Sequence, residues 1–159
     1  YDSAPVRRAV RGLAGALIRA LAAGPNDRPA AIERVVAARD ALRERLSPED
    51  YRYLEFQLWQ EGVARFIEYA AALAAAGDEQ PPAVFRAVPD YQPYDRAADS
   101  ALSSLRRELE RLDLKRDRRV AFYPIGAAIA RLLDAARPGW KEEYARQPFA
   151  LASLLWAAR

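Results

Sequence analysis

Three ionisable residues at helical spacing, Glu61, Arg65 and Glu68, are the side chains of this sequence best placed to do chemistry. They lie in LWQEGVARFIEY, residues 58–69, where steps of four and three residues set them on one helix face. A carboxylate there can ligate a metal, exchange a proton, or pair with the arginine one turn on. Composition narrows the choice. The 159 residues include no histidine and no cysteine. A Ser-His-Asp triad, a thiol nucleophile, a disulfide framework and a two-histidine zinc site are therefore excluded within the chain. Ser103 and Ser104 have no base beside them and read as helix surface.

The stretch LWQEGVARFIEY resembles the helix that carries the glutamate zinc ligand in gluzincin-type (HExxH…E) metallopeptidases. A second stretch, AFYPIGAA at 121–128, is followed by LLD at 132–134 and PGWK at 138–141. It resembles the helical C-terminal part of bacterial peptidases of this kind. The resemblance implies zinc as cofactor, Glu61 as its ligand, and a peptide or protein as substrate. It also implies that Arg65, Glu68 and Tyr123 line the same cleft, with Tyr123 a candidate donor to an oxyanion. Gly62 would allow a neighbouring helix to approach closely. The spacing usual for the HExxH pair falls on residues 38–42, which read Ala-Arg-Asp-Ala-Leu. The pair is therefore expected upstream of Tyr1, separated from Glu61 by a helical hairpin of residues 6–46. Phe66 stands where the family has tyrosine. One carboxylate does not make a zinc site, so activity is not expected of this chain alone.

The same residues support a reading from another class. Glu61 and Arg65 form an i,i+4 pair with Glu68 one turn on, a pattern typical of a solvated helix face. The chain is then a non-enzymatic helical module that binds a protein or peptide through an apolar groove. Nucleic acid is not an expected partner, because the formal charge is only +3 and most arginines alternate with acids or alanines. The densest basic run, Lys115-Arg116-Asp117-Arg118-Arg119, falls where a turn is expected. No run approaches the roughly 20 apolar residues of a membrane span.

Periodicity predicts an all-α single domain. Ser3 caps a helix to about Ala23, and Gly24-Pro25-Asn26-Asp27 separates it from a second, from about Pro29 to Leu46. These two form an antiparallel hairpin. Ser47-Pro48-Glu49-Asp50 is a strong helix start, and nothing stops that helix before Gly77. A uniform helical wheel puts Phe56, Trp59, Val63, Phe66, Ile67, Ala70 and Leu73 on its packed face. Residues 78–94 hold four prolines and several aromatics, which predicts an extended strap over the bundle. Further helices are expected over 96–114 and 119–136, the second with Pro124 in its first turn or at a kink. Short helices then cover 140–146 and 149–158, split by Pro148. Tryptophans and phenylalanines at this spacing are expected in the core.

Overall fold

The computed structural model describes residues 3–78, 80–147, 149 and 151–158. Among them the secondary structure is helical, joined by turns, with no strand. Helix α1, Ala4–Ala22, begins where the Ser3 hydroxyl accepts from the Val6 N–H at 3.4 Å, and Pro5 sits in its first turn. Its stripe of Val6, Val10, Leu13 and Leu17 is buried. Each such side chain contributes about 1.5–3 kcal/mol of burial. Helix α2, Arg28–Arg43, packs along α1. Val6 and Val10 lie beside Leu42 and Leu46, so the pair runs antiparallel as expected. It ends earlier than periodicity implies, because residues 44–47 form the turn into the next helix.

Ser47 caps that helix through the Asp50 N–H at 3.1 Å. The helix continues to Asp78 in three pieces: α3, Pro48–Gln57; a π turn, Leu58–Gly62; and α4, Val63–Asp78. A π turn advances less per residue than an α turn, so the faces of α3 and α4 are offset. The uniform wheel therefore fails across it. Leu54 and Leu58, which it sets beside the polar face, are fully buried, whereas Ile67 is 54% and Leu73 52% exposed. Val63 and Phe66 are buried as expected.

Beyond Asp78 the chain makes one short helix, α5, Ala83–Arg86, rather than running extended throughout. Val84, Phe85 and Val88 keep much of their surface exposed. Phe85 contacts Tyr91 and Tyr94, so the strap's aromatics cluster among themselves. Helix α6, Tyr94–Glu110, buries Ala98, Leu105 and Leu109. The basic run forms a short helix, α7, Leu114–Asp117, capped by Asp113, and then a 3-10 turn over Arg118–Ala121.

Helix α8, Phe122–Ala136, is the most enclosed element, with every residue from Pro124 to Ala130 buried. Pro124 lies in its first turn, where its missing N–H costs nothing. Gly139, at φ 84°, turns the chain into α9, Trp140–Arg146, and α10 is Leu151–Trp156. The expected break at Pro148 lies outside the described residues. Trp140, Phe66 and Phe122 are core residues, Trp59 is partly buried, and Trp156 is 57% exposed.

Candidate functional site

Glu61 lies inside the π turn, one residue before a very close helix crossing. A Cβ placed on Gly62 would sit 2.4 Å from the Gly126 Cα, and one on Gly126 would meet the Leu58 carbonyl oxygen at 2.7 Å. Only glycine allows two helix backbones to come this close. The crossing joins LWQEGVARFIEY directly to AFYPIGAA, so the two stretches singled out in the sequence form one packed unit. Glu61 is partly buried and makes no ion pair or side-chain hydrogen bond among the described residues. Among the described residues no cation pairs with its carboxylate.

The expected Glu61–Arg65 pair is not formed. Arg65 instead donates to Glu68 at 2.7 Å and to Glu108 of α6 at 2.9 Å. Burial works against its charge, but these two carboxylates outweigh it and raise its pKa. Glu68 is 62% exposed at its side chain, and its role here is to hold Arg65. Arg65 also lines a small crevice with Tyr69 and Arg131, whose guanidinium lies 4.6 Å from the Tyr69 ring centre. Tyr123 is partly buried on α8, one turn before Gly126. The structure thus places Glu61 next to the helix crossing, with Tyr123 one turn before Gly126 on α8, and ties Arg65 to α6 through Glu108.

Sequence reasoning missed a large cleft between α2, α3 and α10. One chamber of about 850 Å³ is lined by Arg39, Arg43, Tyr51 and Trp156 among others. A second, about 410 Å³, adds Arg52, Glu55 and Phe149. Arg39 and Glu55 form an ion pair buried at the base, only 4% and 6% exposed. Among the described residues Arg39 Nε and Glu55 Oε2 have no hydrogen-bond partner, and neither do Gln57 Oε1 and Trp59 Nε1 nearby in sequence. Each such atom costs about 1–3 kcal/mol. Tyr51 packs against this pair: its hydroxyl accepts from Arg39 at 3.5 Å, and burial raises its pKa, with the charge of Glu55 and a hydrogen bond to it adding to the rise. A signal was present in the sequence. Arg39 continues the apolar register of Ile32, Val35 and Val36 on α2, a position where an unpaired arginine is not tolerated.

Arrangement of acids bears on the metal question. No group of three or more metal-ligating side chains is assembled among the described residues. With no histidine or cysteine in the sequence, these residues do not fit a zinc site on their own, and Glu61 supplies at most one ligand. No protein family, curated protein or solved structure gives a significant match to this chain. No helix is long and apolar enough to cross a membrane among the described residues.

Proposed function

We propose that this chain is the glutamate-bearing helical portion of a gluzincin-like zinc peptidase, with Glu61 as its one metal ligand. The observation that carries the reading is the Gly62–Gly126 crossing. It packs the two peptidase-like stretches against each other and leaves an unpaired carboxylate beside them. A π turn at that glutamate fits as well, since π turns inside α-helices concentrate at functional sites. Tyr123 is the second residue of the proposed site; Arg65 and Glu68 position α4 against α6 through the Glu108 bond. The remaining ligands belong to an HExxH segment that the resemblance puts upstream of Tyr1, and the reading derives no catalytic step from this chain alone.

The test is the intact mass and sequence of the protein made from its complete native gene. A mass well above 17.8 kDa with HExxH in the added segment supports the proposal. A product without that motif overturns it. The binding-module reading is favoured by a different feature, the cleft over Arg39 and Glu55, which is polar at its base and aromatic at its rim.

A further inference from the structure

A separate cleft of about 350 Å³, a volume that suits a small ligand, lies between the end of α6, α7 and the start of α8. None of Glu61, Arg65, Glu68 or Tyr123 lines it, so what it binds does not depend on the peptidase reading. Its walls come from a densely basic stretch: residues 106–119 hold seven cations against four acids. Each of those acids is already engaged. Glu108 accepts from Arg65, Glu110 from Arg106 and Asp117 from Arg116, while Asp113 caps α7 through the Lys115 and Arg116 N–H groups. Arg107 and Arg111 both line the cleft, are exposed, and have no acidic partner among the described residues. They lie one turn apart, a spacing at which like charges repel and destabilise a helix. The end of α6 does not need them to answer its dipole, because Arg116 donates to the Arg111 carbonyl there at 2.7 Å.

The lining defines the class of ligand. Two accessible guanidiniums with no acid to pair with them select an anion, and their planar forks match the oxygens of a phosphate. Ser104 lies one turn before Arg107 on the same face and accepts from its guanidinium at 2.9 Å. Its own proton is left to donate to a phosphate oxygen. Much of the remaining lining is apolar: Leu112, Ala121 and Pro124 are buried, and Val120 is 54% exposed. Such a wall beside the cations suits a phosphate carried on an apolar group better than a free inorganic ion. Between the lining residues Asp117 and Val120, Arg118 is held at φ 50°. Strained conformations of this kind in non-glycine residues cluster at ligand sites.

We propose that this cleft binds a small phosphate monoester, its phosphate held by Arg107, Arg111 and Ser104 and its apolar group against Val120. Arg116 has a positioning role, since its guanidinium is occupied by Asp117, at 2.6 and 2.9 Å, and by the Arg111 carbonyl.

The experiment follows the backbone amides of residues 104–121 by NMR while phenyl phosphate is added at constant ionic strength and neutral pH. Its phosphate is then largely doubly charged. Inorganic phosphate and a short single-stranded DNA are titrated in parallel. Phenyl phosphate should shift these signals saturably, with a dissociation constant on the order of 1 mM for so small a ligand. Inorganic phosphate should bind more weakly. Arg107→Gln and Arg111→Gln should each weaken phenyl phosphate binding about tenfold, the effect of losing one charge-assisted hydrogen bond. Arg106→Gln removes the same charge from a neighbouring residue that pairs with Glu110 and does not line the cleft, so affinity should be unchanged. Circular dichroism checks that the three variants are folded. Absence of saturation, an equal affinity in folded Arg107→Gln or Arg111→Gln, or an equal loss in Arg106→Gln would each overturn the proposal. So would inorganic phosphate binding as tightly as the ester, or DNA binding more tightly, as a diffuse basic surface does.

Discussion

A single methyl group tests how Glu61 is held. In Gly62→Ala the new Cβ would lie 2.4 Å from the Gly126 Cα and 2.9 Å from its carbonyl carbon, backbone atoms that move only if the helices part. Overpacking of this kind costs about 1–3 kcal/mol. Gly12, within α1, has nothing within 4 Å of its Cβ position. Gly12→Ala should therefore stabilise by about 0.4–1 kcal/mol, through helix propensity and a stiffer unfolded chain. Urea denaturation should move the two midpoints in opposite directions. Tyr51 makes a different residue-level prediction. Burial raises its pKa, Arg39 opposes that, and Glu55 adds to it. The folded state then keeps the phenolic proton where the unfolded chain releases it. This contribution is complete below the ordinary tyrosine value of about 10 and is lost as pH rises toward the folded pKa. Between neutral and strongly alkaline pH, stability should fall more steeply in the native protein than in Tyr51→Phe. Equal slopes in a denaturant series would contradict it. At this scale the sequence was partly legible. Gly62 could be read as a point of close approach from its place beside the glutamate, but its partner Gly126 could not, since pairing two glycines is a tertiary fact. The burial of Glu55 against Arg39, across α2 and α3, is likewise a tertiary fact.

Elements were easier to read than the register between them. Ser3 and Ser47 marked helix starts that the structure keeps, because cap chemistry is local. Residues 58–62 carry no residue type that demands a π turn, and the turn is set where α8 presses against them. That is why a wheel drawn at one angle misplaced the leucines on either side. The π turn makes a prediction that a straight helix would reverse. Leu58→Ala, at a fully buried site, should cost about 2–5 kcal/mol, whereas Leu73→Ala, 52% exposed, should stay within about 0.5 kcal/mol. Thermal or chemical denaturation of the two variants decides between the geometries. The strap shows the same limit of local reading. Its prolines rightly excluded a continuous helix, but its aromatics signalled packing over the bundle when they pack largely on each other.

For the whole molecule, α8 and the long helix from Pro48 to Asp78 cross at two glycines, and the other elements are arranged around that contact. Alanine and glycine on α8 permit the close approach, and larger side chains on α1, α2 and α10 fill the space that remains. All-α architecture was legible because alanine-rich, cap-punctuated sequence has few other solutions. Two structural features result: a partly buried carboxylate at the crossing, and an aromatic-rimmed cleft over a buried ion pair. Only the first had a sequence signature. The most direct measurement is the zinc content and affinity of the protein expressed from its complete native gene, compared with Glu61→Gln and Glu68→Gln. Loss of a residue that only hydrogen-bonds a ligand weakens metal binding about 10–100-fold, so loss of a ligand should cost at least that much. One zinc per chain, released in Glu61→Gln and retained in Glu68→Gln, is the expected result. Zinc bound equally by Glu61→Gln, or no zinc in the native protein, would contradict the assignment.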